Sequence, residues 1–194
     1  MSVFLTSKGF YVPEVLQGFI EHINKQNIPK EICMITTAIR DQHDRKFHIA
    51  ETEKALKEVG FWKVDFLDVE FDDPHTMKEY PIICLFGGHP FALLDLIKKS
   101  QTDSILSELH SIGKLIVGHS ARAAVLGKTI RHVHLLHPEW NDIDLTNFDA
   151  LGIIQGVVLP HSNRYTNQEE RLSEFELHEE GELLRIADGE LLIL

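Results

Sequence analysis

Apolar positions in the first half of the chain fall into short continuous runs separated by longer stretches with helical spacing. Ser2–Thr6 predicts an opening strand. Pro13–Asn24 predicts a helix with proline near its start and a stripe of Val15, Leu16, Phe19, Ile20 and Ile23. Glu31–Thr36 predicts a buried strand, and Phe47–Val59 a helix carrying Ala50, Ala55, Leu56 and Val59, with Gly60 as its stop. Trp62–Val69 alternates as a strand does, Asp72-Asp73-Pro74-His75 marks a loop, and Pro81–Phe86 predicts another buried strand running into Gly87-Gly88. Helices are expected at about Phe91–Lys99 and Asp103–Ile112, followed by a strand at Leu115–Val117. Apolar runs alternating with helical patterns imply βαβ units, and hence an α/β fold: a doubly wound, mainly parallel sheet with flanking helices.

Past Gly127 the pattern weakens. Ile130–Leu136 alternates loosely, Pro138–Asp149 is polar and aromatic like a loop, and Ala150–Leu159 is apolar up to Pro160-His161. Asn167–Phe175 predicts a short acidic helix. Glu176–Leu194 looks like strands broken at Glu179-Glu180-Gly181 and Asp188-Gly189, the pattern of a C-terminal β-hairpin. No repeat, linker or low-complexity tract interrupts residues 1–194, so a single domain is expected.

Composition narrows the function classes. A 43% hydrophobic and 25% charged chain is that of an ordinary soluble globular protein. A formal net charge of −11 argues against nucleic acid or an anionic membrane as partner. Cys33 and Cys84 each lie within an apolar strand-like run and read as buried free thiols of a reducing cytoplasm. With no basic leader and no apolar run of spanning length, a cytoplasmic protein is expected.

The segment with the most chemistry is Lys114-Leu115-Ile116-Val117-Gly118-His119-Ser120-Ala121-Arg122-Ala123-Ala124. A buried strand that breaks at Gly-His-Ser-Ala into an Ala-rich helix outlines a nucleophile elbow, although Gly-x-Ser-x-Gly ends here on Arg122. Ser120 would equally serve as an N-cap. As a nucleophile it needs a base, and His161, directly after an apolar strand, belongs at the same sheet edge. That position favours it among the 12 histidines, any of which could otherwise be a surface residue. Gly87-Gly88 could bring backbone amides to a developing oxyanion, or form a plain turn into the helix opened by Pro90. His132, His134 and His137 could suggest a metal, since alternating histidines such as His132 and His134 share one face of a strand, but no carboxylate or cysteine completes a metal set. No dinucleotide or P-loop glycine pattern occurs, and no cofactor is implied.

Taken in order, these residues resemble the peptidase E (aspartyl dipeptidase) family of serine peptidases. They are the opening strand, Ile35-Thr36-Thr37-Ala38, Phe86-Gly87-Gly88-His89, the Gly-x-Ser-Ala elbow, Leu151-Gly152-Ile153-Ile154 leading to Pro160-His161, and Glu180-Gly181. The resemblance covers nearly the whole chain. It implies a flavodoxin-like fold related to class I glutamine amidotransferases. It also implies hydrolysis of short peptides by Ser120 as nucleophile, His161 as base and Glu180 as third member, with Glu179 an adjacent competitor. Gly88 and Ala121 would supply the oxyanion-binding amides.

The chain departs from that family at three positions that would face a substrate. His89 stands where asparagine is usual, Arg122 where glycine is usual, and Gln168 where aspartyl dipeptidases carry an arginine for the substrate's aspartate. Glutamine offers no charged fork to a carboxylate, so a preference for N-terminal aspartate does not carry over. Arg122, Arg164 and Arg171 are the cations nearby. An impaired relative that binds a peptide or small acidic molecule without cleaving it is the alternative these substitutions raise.

Overall fold

A computed structural model describes residues 2–39, 42–86, 88–178 and 183–194, with the side chains of 42–46 and 48 left aside. Five parallel strands form its centre: β1 (Val3–Thr6), β2 (Glu31–Ile35), β3 (Lys63–Leu67), β4 (Ile82–Leu85) and β5 (Leu115–His119). With β8 (Leu191–Ile193) antiparallel to β1, the sheet order is β3-β2-β4-β5-β1-β8. The order over β2 to β5 is that of the first four strands of a flavodoxin-like sheet, and β1 takes the fifth place, inside β8.

Both faces of this sheet are buried, which is why its strands read as continuous apolar runs. Val3, Leu5, Cys33, Ile35, Ile83, Leu85 and Ile116 face one core. Phe4, Ile32, Met34, Ile82, Cys84, Leu115 and Val117 face the other. The second core is closed by α1 (Pro13–Lys25) through Val15, Phe19 and Ile23, and by Leu56 of α2 (Gln42–Glu58). Burying a phenylalanine such as Phe19 completely contributes about 1.5–3 kcal/mol. Against the first core pack α3 (Pro90–Lys99), α4 (Thr102–Ser111) and α5 (Ala121–Leu126). Cys33 and Cys84 are buried and unpaired, and burial raises both thiols, Cys33 to about 12.

The second half differs from the pattern its sequence suggests. Ile130–Leu136 does not form a strand: Arg131–Leu136 is a short helix, α6, with His132, Val133 and Leu136 turned inward. Its apolar residues fit a single helical turn as well as an alternating strand, and length alone could not separate the two. Of Ala150–Leu159 only the end is strand, β6 (Val157–Pro160). Residues 151–154 instead follow α5, with Leu151 N–H donating to Val125 O and Ile154 N–H to Leu126 O. An acidic helix, α7 (Glu169–His178), precedes β7 (Leu183–Ile186). The two expected C-terminal strands are present but do not pair with each other. β7 lies parallel to β6 in a separate two-stranded sheet, and β8 returns to β1. The turn between them therefore bridges the two sheets.

Candidate active site

The elbow forms because β5 stops donating apolar side chains at Gly118. A Cβ there would stand 2.9 Å from Ala123 Cα and 2.7 Å from Leu126 Cδ1, so glycine permits α5 to lie directly on β5. Ser120 N–H still bonds to Thr6 O at 2.8 Å, and the chain then turns sharply at Ser120, with φ 56° and ψ −133°. A non-glycine residue held in this sparsely populated region is a strained turn, the backbone geometry expected of a nucleophile elbow.

His161 follows the last residue of β6 and also has a left-handed backbone, φ 58°. Its Nε2 lies 2.7 Å from Ser120 Oγ. Its Nδ1 lies 2.5 Å from Asp188 Oδ1. An ionised carboxylate only accepts hydrogen bonds, so the imidazole proton sits on Nδ1 and Nε2 is left to accept from the serine. Burial pushes His161 below its ordinary pKa, the Asp188 hydrogen bond pulls it upward, and Arg164 presses it down. The ring is thus neutral at pH 7 and able to take a proton.

Asp188 is set in place from several sides. Burial raises its pKa, but the hydrogen bonds from His161 and Arg164 outweigh this and hold it at about 2. Arg164 Nε donates to Oδ2 at 2.9 Å, and Lys8 Nζ stands 3.7 Å from the same oxygen. Asp188 N–H donates to Asn163 Oδ1 at 2.8 Å. Behind it, Gly189 N–H donates to Ser7 Oγ at 3.0 Å and Ser7 Oγ–H to Ala187 O at 2.6 Å. These contacts follow from topology. The parallel register Pro160↔Ile186 ends β6 and β7 side by side, and the Thr6↔Leu191 pairing draws the following turn toward β1.

Glu180 and Glu179, the expected third member and its competitor, lie outside the described residues. The carboxylate on His161 among the described residues is Asp188. Sequence reading missed it because Asp188-Gly189 looks like a hairpin turn. The available signal was its place just after a strand, as for His161.

A cleft of about 480 Å³ opens beside Ser120. Gly88, His89, Ala121, Arg122 and Arg164 line it together with Ser120 and His161. Among the described residues no acceptor takes the main-chain N–H of Gly88 or of Ala121. Gly88 has φ +100°, and a Cβ on it would meet Thr37 O at 2.5 Å, so only glycine fits this loop. His89 precedes Pro90 and stands edge-on to Trp140, 6.3 Å between ring centroids. Much of the remaining wall is apolar or aromatic: Val133, Leu136, Trp140, Leu159 and Tyr165. Gln168 is not among the lining residues, and its Oε1 accepts from Arg171 Nη1 at 3.1 Å.

The three histidines near α6 are dispersed. His132 is fully buried, with a pKa pushed down to about 4, and His134 stacks on Phe148. His137 stacks on Trp140 at 3.8 Å. Among the described residues no group of three or more His, Cys, Asp or Glu could hold a metal ion. No helix there is long and apolar enough to cross a membrane.

The sequence profile of peptidase family S51 matches residues 3–194. The chain belongs to this family. It is 31% identical over 166 residues to an uncharacterized peptidase of Listeria innocua serovar 6a, covering 84% of this chain and 77% of that protein. A second uncharacterized peptidase, from Listeria monocytogenes serovar 1/2a, is 29% identical over 84% of this chain and 78% of its own length. In fold it matches the crystal structure of a candidate peptidase E protein from Listeria monocytogenes EGD-e. The TM-score is 0.77 and the identity 22%, over 100% of this chain and 93% of that one. A peptidase from an acI-B1 Actinobacterium matches with TM-score 0.73 and 22% identity, over 100% of this chain and 82% of that one.

Proposed function

We propose that this S51 family member is a serine-type peptidase that hydrolyses short peptides through Ser120, His161 and Asp188. The observation that carries the reading is the continuous line from Ser120 Oγ through His161 Nε2, 2.7 Å away, to Asp188 Oδ1, 2.5 Å from Nδ1. Ser120 attacks the scissile carbonyl as His161 takes its proton. The carbonyl oxygen gains negative charge and is received by the Gly88 and Ala121 amides. His161 then gives the proton to the leaving amine, which departs and leaves an acyl-serine. Water, deprotonated by the same imidazole, releases the acid and restores the serine. Asp188 keeps the proton on Nδ1 and stabilises the imidazolium formed in each half-reaction. No step calls for a metal or organic cofactor. The cleft's size of about 480 Å³ suits a peptide of a few residues.

A protein that only binds peptides has no need of an engaged Ser–His–Asp line, so the geometry supports hydrolysis over that alternative. The test is Ser120→Ala against a panel of dipeptides and tripeptides, with fluorophosphonate labelling alongside. Wild type is expected to cleave and to be labelled, and the variant to do neither while keeping its melting temperature. Equal turnover by the two proteins would falsify the reading.

A further inference from the structure

Arg122 is the feature of the cleft that the proposed hydrolysis leaves unused. It stands in the first turn of α5, two residues after the nucleophile, and lines the cleft. Only 8% of its surface is exposed, and its Nε is buried with no hydrogen-bond partner. Among the described residues no carboxylate pairs with it, although the chain carries 30 Asp and Glu. The other arginine of the cleft, Arg164, is already bonded to Asp188. Arg171, one helical turn past Gln168, donates to Gln168 Oε1 and Leu135 O.

A guanidinium remains protonated when buried, and burial moves this one only to about 9, with Cys84 and Tyr11 pulling it upward. Holding such a charge without an anion is costly, and an apolar side chain of similar length would fill the space without that cost. The charge is compensated once an anion enters the cleft. Neutral polar groups compensate it poorly, and the apolar wall of Val133, Leu136 and Leu159 offers no competing donors to a carboxylate. A planar fork of N–H donors suits that group in particular.

We propose that Arg122 is a specificity residue that binds a carboxylate of the substrate, so that among short peptides the cleft selects those presenting an acid group beside the scissile bond. This rests on the assignment of the cleft as the peptide site. The carboxylate can come from the peptide's own C-terminus or from an acidic side chain, and the two sources are separable.

The experiment uses matched peptides: Phe-Leu with Phe-Leu-amide for the terminal acid, and Glu-Leu-amide with Gln-Leu-amide for the side-chain acid. Binding is measured on Ser120→Ala, with and without Arg122→Met or Arg122→Lys, and kcat/KM on the corresponding proteins with Ser120 intact. The acid member of at least one pair is expected to be favoured about 10- to 100-fold in both readouts. That ratio falls to about 3-fold or less with Met and is partly kept with Lys. Equal handling of acid and neutral members by the Arg122 proteins, or a preference that survives Arg122→Met, overturns the proposal. So does a ligand-free melting temperature of Arg122→Met more than ~5 °C below wild type, because that marks Arg122 as structural. If fluorophosphonate fails to label wild type, the hydrolase reading fails, while the binding arm still decides whether Arg122 holds a carboxylate.

Discussion

Replacing Asp188 by asparagine isolates the acid of the site with almost no change in shape. Asp188 accepts from two donors at once, His161 Nδ1–H at Oδ1 and Arg164 Nε–H at Oδ2. An asparagine has one oxygen and one NH2 group, so it cannot serve both. The Arg164 Nε–H can only donate, so the amide oxygen turns to it and the NH2 faces Nδ1. The imidazole must then carry its proton on Nε2, where it can no longer accept from Ser120 Oγ 2.7 Å away. Forcing the wrong tautomer on a triad histidine costs about 10⁴ in rate, or about 5 kcal/mol at the transition state. The assay is kcat/KM on the best peptide of the panel, with the second-order rate of fluorophosphonate labelling as a substrate-independent readout. The expected loss is 10³- to 10⁴-fold for Asp188→Asn with a nearly unchanged melting temperature, and less than about fivefold for Glu180→Gln. A fall confined to Glu180→Gln, with Asp188→Asn within tenfold of wild type, would refute the reasoning and make Glu180 the acid.

The pH dependence follows from His161, whose pKa is pushed below its ordinary value first by burial, so labelling rates should hold down to below pH 6.5 and fall as the imidazole protonates. Arg164 contributes to that lowering, so Arg164→Gln moves the acid limb to higher pH; an unmoved or lowered limb counts against the electrostatics. His132 lowers stability on acidification for a related reason. Its folded pKa of about 4 lies below the unfolded 6.5, so its contribution is complete above pH 6.5 and is lost as pH falls toward 4. Over that window the loss is about 3 kcal/mol, and His132→Leu should flatten the urea midpoint between pH 7.5 and 4.5 relative to wild type. Gly118→Ala places a Cβ 2.9 Å from Ala123 Cα. Lifting α5 in this way should cost ~1–3 kcal/mol, lower the melting temperature by several degrees and slow labelling of Ser120; an unchanged protein would mean the elbow yields freely.

The parts of this site differ in how far apart along the chain their determinants lie, and their legibility in the sequence follows that distance. Ser120 is a local feature: an apolar strand, a glycine that admits the helix and the first turn of α5 all fall within Leu115–Leu126. His161 needs only the rule that ligand-facing groups follow strand ends, and β6 does end at Pro160, although in the separate two-stranded sheet and not at the edge of the main sheet as the sequence suggested. The Gly88 loop is of the same kind, its tight contact with Thr37 O set by the neighbouring ends of β2 and β4.

Asp188 depends on something hydrophobic periodicity does not encode, namely which strand pairs with which. Leu183–Ile186 and Leu191–Ile193 around an Asp-Gly have the pattern of a hairpin, and as a hairpin they would carry the turn away from His161. The structure pairs the first with β6 and the second with β1, so the turn crosses between sheets and its carboxylate lands on the imidazole. The same limit applies to Arg122. Its place two residues after Ser120 is plain in the sequence, whereas the lack of a carboxylate for it among the described residues becomes visible only in the structure, where Arg164 is the arginine bonded to Asp188. Two arginines line one cleft, and Asp188 engages only Arg164. The two observations belong together: Asp188 serves His161 and Arg164, and Arg122 stands without a carboxylate partner among the described residues, as its proposed role toward a substrate acid requires.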